Sequence, residues 1–285
     1  MILIAESINI MSKTIGPAIK EKDAKPIQEL AVKQVECGAD ILDINLGPAR
    51  KQGDEMMEWL VKTVQEVTDV PLSLDTTNPV AMEAGLKVAK ERALINSISA
   101  QKERLEVTLP LAKKYDVPFI AVLLSDVGIP RNVEERASVF FEIFTAAQNL
   151  EISEDDIWVD PIIFPVSADQ NQVVQALEFL KLLPDLTGMS LKSTCGLSNV
   201  SNGSPVHLRG ILNRTYLALL MTNGLTSAIV DTLDKELVDV ARAVEKSPHL
   251  DSWIDSLSQE KQNEFSKTMK VLKNEVLYCH SWLEL

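Results

Sequence analysis

Cysteine and histidine are scarce in this chain of 285 residues. The three cysteines, Cys37, Cys195 and Cys279, form no C-x-x-C pair, and their number is odd. A disulfide framework or a zinc site is therefore not expected, and a reducing cytoplasm fits. His207, His249 and His280 lie far apart, so no histidine cluster for metal binding or catalysis is expected. Long apolar runs are missing as well, and none is long enough to span a bilayer. Met1–Ile10 has no basic region and carries Glu6 inside its apolar stretch, so it reads as a first strand and not as a signal peptide. Positive charge is outweighed: 28 Lys and Arg face 41 Asp and Glu, a net charge of −13. Such a surface argues against non-specific nucleic-acid binding, which depends on neutralising phosphates. It leaves room for an anionic ligand held in a local basic spot.

Against these absences stands a regular alternation. Short, nearly continuous apolar runs occur at Ile2–Ile8, Ile41–Leu46, Val70–Thr76, Ala93–Ser99, Pro118–Leu124, Ile157–Phe164, Leu191–Leu197 and Ser227–Thr232. Such runs suit parallel strands covered by helices. Longer amphipathic stretches separate them. Lys25–Cys37 has Pro26 near its start and Gly38 after its end, the usual asymmetry of helix termini. Asp54–Val67 sets Met57, Leu60, Val61, Val64 and Val67 on one stripe. Asn78-Pro79 reads as an N-cap and N1 pair opening a helix through Lys90. Lys102–Tyr115 contains Pro110, which must start, kink or split it. Asn132–Asn149, Asn171–Leu183, Val206–Asn223 and Lys235–Val244 complete the series.

Eight β-then-α units predict an α/β fold, a (β/α)₈ TIM barrel. An open doubly wound sheet would show a glycine-rich phosphate turn after the first strand, and Ser7-Ile8-Asn9 is not one. Residues 1–245 are assigned to the barrel and 246–285 to a helical C-terminal extension of the same domain. Within the extension, His249–Ser258 and Gln259–Leu277 read as two further helices, either a cap on the barrel bottom or a packing surface.

Chemistry in such barrels sits at the C-terminal strand ends. Here those ends carry Glu6 and Asn9, Asp43 and Asn45, Asp75, Asn96 and Ser97, Asp126, Asp160, Asn199 and Asp231. A carboxylate in an apolar strand is costly to bury without partners. Asp43 and Asp231 can be read equally as loop organisers. Asp75, Asn96 and Asp160 together supply acceptors and an amide at one mouth, which suits a flat, nitrogen-rich heterocycle with a guanidine-like edge. Magnesium or manganese is the main competitor for these carboxylates. A Schiff-base aldolase would need a strand lysine, and Lys192, the only candidate, precedes its strand end by several residues.

The motifs Asp40–Asn45, Leu74–Asn78, Ile95–Ser97, Val159–Pro161 and Gly196–Ser201, in this order, resemble the pterin-binding barrel family. Within it the likeness is to methyltetrahydrofolate:corrinoid protein methyltransferases, over residues 1–240 and again near Val276–Cys279. The resemblance implies a methyl transfer between tetrahydrofolate and a corrinoid (cobalamin) held by a partner protein, which would dock over a mobile, wide entrance lined by the strand-seven and strand-one loops. It implies that Asp75, Asn96 and Asp160 bind the pterin, with Ser198 beside them, and that Asn199 approaches nitrogen 5. Asn202 and Arg209 would lie near the ligand. It also implies a homodimer; the scarcity of His and Cys, the acidic charge and the short apolar runs lead to the expectation of no bound metal, nucleic acid or membrane. Dihydropteroate synthases carry a lysine soon after the corresponding Gly-x-Ser motif, whereas Ser198-Asn199-Val200-Ser201 has none, which argues against pterin–aminobenzoate coupling. Ser7 stands where relatives have an arginine, and Lys246–Lys270 looks like an insertion. A non-catalytic folate-binding module is the alternative from another class.

Overall fold

A computed structural model describes residues 1–49, 51–247 and 249–284. Its eight strands are β1 (Ile2–Asn9), β2 (Ile41–Gly47), β3 (Leu72–Thr76), β4 (Leu94–Ser99), β5 (Phe119–Val122), β6 (Ile157–Asp160), β7 (Lys192–Ser193) and β8 (Ser227–Val230). Every pairing is parallel, and strand neighbours follow chain order, with β8 beside β1. The sheet is a nearly closed barrel, as the alternation predicted. All eight expected runs contain a strand.

The seam between β7 and β8 is closed mostly by side chains. β7 is only two residues long, against the seven expected from Leu191–Leu197. Here Ser193 N–H donates to Thr226 Oγ1 at 2.7 Å, and Thr226 N–H to Ser193 Oγ at 3.1 Å. Ser227 Oγ donates to the Ser193 carbonyl at 2.8 Å. Only beyond this hydroxyl patch does a backbone bond cross, from Ile229 N–H to the Cys195 carbonyl at 2.8 Å. Hydroxyls satisfy the buried backbone groups that a longer ladder would otherwise pair.

The helices outside are α1 (Ile15–Glu21), α2 (Ala24–Glu36), α3 (Gly53–Gln65), α4 (Pro79–Val88), α5 (Lys102–Val107), α6 (Leu109–Tyr115), α7 (Val133–Asn149), α8 (Gln170–Thr187), α9 (Val206–Thr222) and α10 (Lys235–Lys246). Asn78 caps α4 as expected, its side chain accepting from Val80 N–H at 3.0 Å. The stretch around Pro110 splits into α5 and α6 at Thr108, which puts the proline in a first turn where its missing N–H costs nothing. On α3, Met57, Leu60, Val61 and Val64 are buried, while Val67 lies beyond the helix end and is exposed. The α8 helix runs past Pro184 to a left-handed Gly188, four residues longer than expected. The α1 helix was not anticipated. It buries Ile15, Ala18 and Ile19, and Gly16 lets it close on β1, because a Cβ there would sit 2.3 Å from the Ile10 carbonyl oxygen.

Two further helices follow, α11 (Leu250–Asp255) and α12 (Gln259–Leu272). They lie on the outer helical layer, with Trp253 packed edge-on against Phe265 at 5.1 Å and both beside Ala218 of α9 and Val240 and Val244 of α10. Gln170, at the start of α8, fastens the end of this extension. Its Nε2 donates to the Val271 and Val276 carbonyls at 2.6 Å each, and its Oε1 accepts from Tyr278 N–H at 3.0 Å. Tyr278 then reaches the loop after β7, donating to Ser204 Oγ at 2.7 Å. Gln170→Ala removes all three contacts, at about 1–3 kcal/mol net. The expected result is faster proteolytic cleavage after Leu272 and a melting temperature lower by several degrees, with the barrel still folded; calorimetry and limited proteolysis check it.

Candidate active site

Successive residues of a strand face opposite sides of the sheet, so residues two apart line the same side. Ile4, Ile41, Leu94, Ile120 and Trp158 form one buried cluster that fills the barrel lumen, with Ile229 packed against it. Two positions further along the same strands come Glu6, Asp43, Asn96, Val122, Asp160 and Asp231. The strand period alone therefore lifts a layer of polar groups above an apolar floor. On β3, Ser73 pairs in register with Asp43 and Asp75 pairs with Asn45, which brings Asp75 to the same mouth.

These groups divide their hydrogen-bonding capacity in a specific way. Asp43 is almost fully buried and accepts from Ser73 Oγ at 2.6 Å and Asn96 Nδ2 at 3.0 Å. Asp43 is thus the organiser of its neighbours, one of the two roles its position allowed. Asn45 Nδ2 donates to Asp75 Oδ2, while Asn45 Oδ1 accepts from Gly47 N–H at 3.0 Å. Asp160 Oδ1 accepts from Ile162 N–H at 2.7 Å. Asp75 Oδ1, Asn96 Oδ1 and Asp160 Oδ2 accept from nothing among the described residues. The mouth thus presents a set of open acceptors. The Asn96 amide uses one of its two N–H donors on Asp43 and leaves its carbonyl open.

Burial dominates the electrostatics. Burial pushes the Asp160 carboxyl up to about 7, against the Ile162 hydrogen bond and the Arg136 guanidinium, which both favour the ion. Asp43 and Asp75 are both raised by burial, and the Asp43 charge raises Asp75 further. Glu6 reaches about 7 through burial, opposed by the hydrogen bond from Ser198 and reinforced by Asp231 and Asp43. The role of Arg136 was not foreseen. Its position on α7 places it in register with Val139, Phe140 and Ile143 on the buried stripe, and that is the signal that could have revealed it. Fully buried, it donates from Nε to the Pro161 carbonyl at 2.9 Å and from Nη2 to Gln172 Oε1 at 2.8 Å. It clamps the turn in which Ile162 adopts a left-handed φ of 63°, an unusual conformation for a β-branched residue and one that this clamp and Asp160 together hold.

The turn Leu197–Ser201, a short 3₁₀ helix, carries the remaining expected residues. Ser198 Oγ donates to Glu6 Oε1 at 2.6 Å. Asn199 is exposed, and its Oδ1 accepts from Asn202 Nδ2 at 3.2 Å. Its Nδ2 lies over Gly196, where an added Cβ would come within 3.0 Å of it. Arg209, on the first turn of α9, is exposed and holds the Ser204 carbonyl through Nε at 2.9 Å, so it supports the loop rather than pairing with the carboxylates. Asp231 Oδ1 accepts from Leu233 N–H at 3.0 Å, the loop-organising role. Lys192 lies at the barrel floor, with its Nζ 5.3 Å from the centre of the Trp158 ring, away from the mouth. No cluster of three His, Cys, Asp or Glu side chains is placed to hold a metal ion among the described residues.

The profile described as pterin binding enzyme matches residues 11–231. The chain belongs to that family. Among curated pterin binding relatives, a methylcorrinoid:tetrahydrofolate methyltransferase of Eubacterium limosum is 28% identical over 245 residues, covering 84% of this chain and 88% of that one. A methionine synthase of Mycobacterium leprae is 25% identical over 240 residues, 81% of this chain but only 20% of that protein. Among solved structures, a dihydropteroate synthase of Yersinia pestis matches with a TM-score of 0.66 at 18% identity, covering 86% of this chain and 93% of that one. A dihydropteroate synthase of Xanthomonas albilineans matches at 0.65 and 19%, over 86% and 93%. At these identities the solved structures establish the shared barrel.

The raised carboxyls of this pterin binding enzyme make its stability pH-dependent. An unfolded Asp titrates near 3.9. A folded carboxyl raised above that value contributes stability that is full below the unfolded value and lost as pH rises through the folded one. Asp75→Asn keeps an acceptor for Asn45 and removes the charge beside Asp43. The variant is expected to melt higher than the parent at about pH 9, by roughly 2–6 °C for ~1–2 kcal/mol, with a much smaller gain at about pH 5. Equal melting shifts at both pH values in calorimetry would contradict this electrostatic account.

Proposed function

We propose that this protein is a methyltransferase that moves a methyl group between nitrogen 5 of methyltetrahydrofolate and the cobalt of a corrinoid carried by a partner protein. The observation that carries this reading is a division of the mouth. Open acceptors on Asp75, Asn96 and Asp160 lie on one side, and the exposed Asn199 amide lies on the turn after β7. The pyrimidine edge of a pterin presents an amino group and a ring N–H, donors that match acceptors. An ionised Asp160 or Asp75 would take such a pair through charge-assisted bonds. The likeness to the Eubacterium limosum methylcorrinoid:tetrahydrofolate methyltransferase, over most of both chains, points the same way.

A methyl group on an amine nitrogen leaves only when that nitrogen is protonated or strongly hydrogen-bonded as the bond breaks. Asn199 cannot titrate, but its amide can donate to or accept from nitrogen 5 by rotation. Its one side-chain contact, to Asn202, is exposed and cheaply exchanged. The corrinoid would supply cobalt(I) as nucleophile, so no cobalt ligand is required of this chain. The rim of the mouth exposes Met11 after β1, Val127 after β5, Val206 at the start of α9 and Leu233 after β8. That apolar collar suits a docking protein. Pterin–aminobenzoate coupling is disfavoured by the lack of a lysine in Ser198–Ser201. A non-catalytic folate-binding module would share the acceptors but give no methyl transfer to free cobalamin(I).

Asp160→Asn keeps the acceptor for Ile162 but sets an amide donor against ligand donors. Titration calorimetry should show tetrahydrofolate binding weaker by about 1.5–3 kcal/mol, and unchanged affinity in a folded variant would remove Asp160 from the site. Asn199→Ala should act differently. An interaction that strengthens in the transition state changes the rate, whereas uniform binding changes affinity. Single-turnover transfer from methyltetrahydrofolate to cobalamin(I) should slow at least about tenfold, with folate affinity within about threefold of the parent. A folded variant with parental rate would return weight to the binding-module alternative.

A further inference from the structure

Asn199 can stabilise charge on nitrogen 5 but cannot supply a proton, and the transfer proposed above needs one. Glu6 is the lumen-facing acid nearest in hydrogen-bond connectivity to that turn. It rises from β1 two residues above Ile4 of the barrel floor. Its Oε1 lies 2.6 Å from Ser198 Oγ, and Ser198 precedes Asn199 in the chain. Among the described residues, the groups that act on it are Ser198 from the turn after β7, Asp231 after β8 and Asp43 of β2, and none of these is a cation. An open groove lined by Glu6, Ser7, Asn9, Thr14 and Asp231 runs from it to solvent.

We infer that Glu6 and Ser198 form a two-group proton relay to nitrogen 5 of the bound folate, an inference that rests on the methyltransferase reading. The acid passes its proton to Ser198 Oγ while Ser198 passes its own to nitrogen 5. Cobalt(I) then donates an electron pair to the methyl carbon, the carbon–nitrogen bond breaks, and its pair stays on nitrogen. The products are methylcobalt(III), tetrahydrofolate with a hydrogen on nitrogen 5, and a Glu6 carboxylate. Solvent in the groove restores the proton. In the reverse direction the carboxylate takes the proton released from nitrogen 5. Burial and two neighbouring carboxylates hold the Glu6 carboxyl near 7, where an acid can both give and regain a proton at neutral pH. The short Ser198–Glu6 contact serves either polarity: the hydroxyl donates to the carboxylate, and a protonated Glu6 donates to the hydroxyl, freeing the Ser198 hydrogen to turn toward the ligand.

The test is transfer from saturating methyltetrahydrofolate to cobalamin(I) under anaerobic reducing conditions, followed across pH. The parent rate should fall as pH rises through about 7. Glu6→Gln should lower the rate by about 10²-fold or more and flatten that limb, with folate affinity nearly unchanged. Ser198→Ala leaves the acid in place but breaks the relay, and should lose rate to a similar degree. Should Glu6→Gln not fold, Ser198→Ala and Glu6→Asp decide, the latter expected to keep part of the rate and a shifted limb. Parental rate and pH limb in either folded Glu6→Gln or folded Ser198→Ala overturn the relay alone. A parent protein that binds folate but transfers no methyl group overturns the methyltransferase reading, and the relay with it.

Discussion

The structure turns on carboxyl groups held in a barrel mouth whose described residues supply almost no positive charge to meet them. Glu6, Asp43, Asp75 and Asp160 are all raised by burial, and among the described residues the one cation acting on any of these four, Arg136, acts on Asp160. Removing a carboxylate from water without a partner is expensive, so the fold must offset that cost with dipoles. It does so with neutral donors: Ser73 and Asn96 for Asp43, Asn45 for Asp75, the Ile162 N–H for Asp160, and Ser198 for Glu6. Each donor is fixed by a strand or a tight turn. The apolar floor of Ile4, Ile41, Leu94, Ile120 and Trp158 prevents the layer from sinking. What the donors leave over, an open set of acceptors with little bound charge to balance, is what a donor-rich ligand edge can complete.

Much of this was legible before any coordinates. Period-two alternation on parallel strands fixes both the layer of apolar residues and the polar layer above it, so Asp75, Asn96 and Asp160 could be grouped from spacing. The eight strands followed from nearly continuous apolar runs, and most helices from amphipathic stripes and their caps. Hydrogen-bond ownership was not legible, because it depends on side chains from strands far apart in sequence. Nothing in the local sequence says that Asn96 donates to Asp43, or that Asp160 spends one oxygen on its own loop. Arg136 was overlooked because an arginine on a helix reads as solvated, although its place on the stripe with Val139, Phe140 and Ile143 pointed inward. The brevity of β7 was hidden for a related reason. Its hydroxyls look like ordinary strand residues until Thr226 and Ser227 are set opposite them.

That seam gives the mouth two unlike halves. On β3, β4 and β6 the acceptors sit on paired strands, with Asp75 in register with Asn96 and Asp160 with Val122. These positions are stiff and suit recognition of a rigid ring. At the β7–β8 seam the ladder is short and partly replaced by side-chain hydrogen bonds, and the polar groups sit on turns: Ser198 and Asn199 after β7, Asp231 after β8. Groups that must follow a nitrogen through changes of charge and bonding gain from that freedom. An amide that must donate at one stage and accept at another cannot be locked by buried partners. Asn199, exposed and held by a single side-chain bond, has that latitude, whereas Asn96, almost fully buried and anchored by its amide to Asp43, does not. The same residue type thus stands in two environments, and under the proposed methyl transfer each suits a different end.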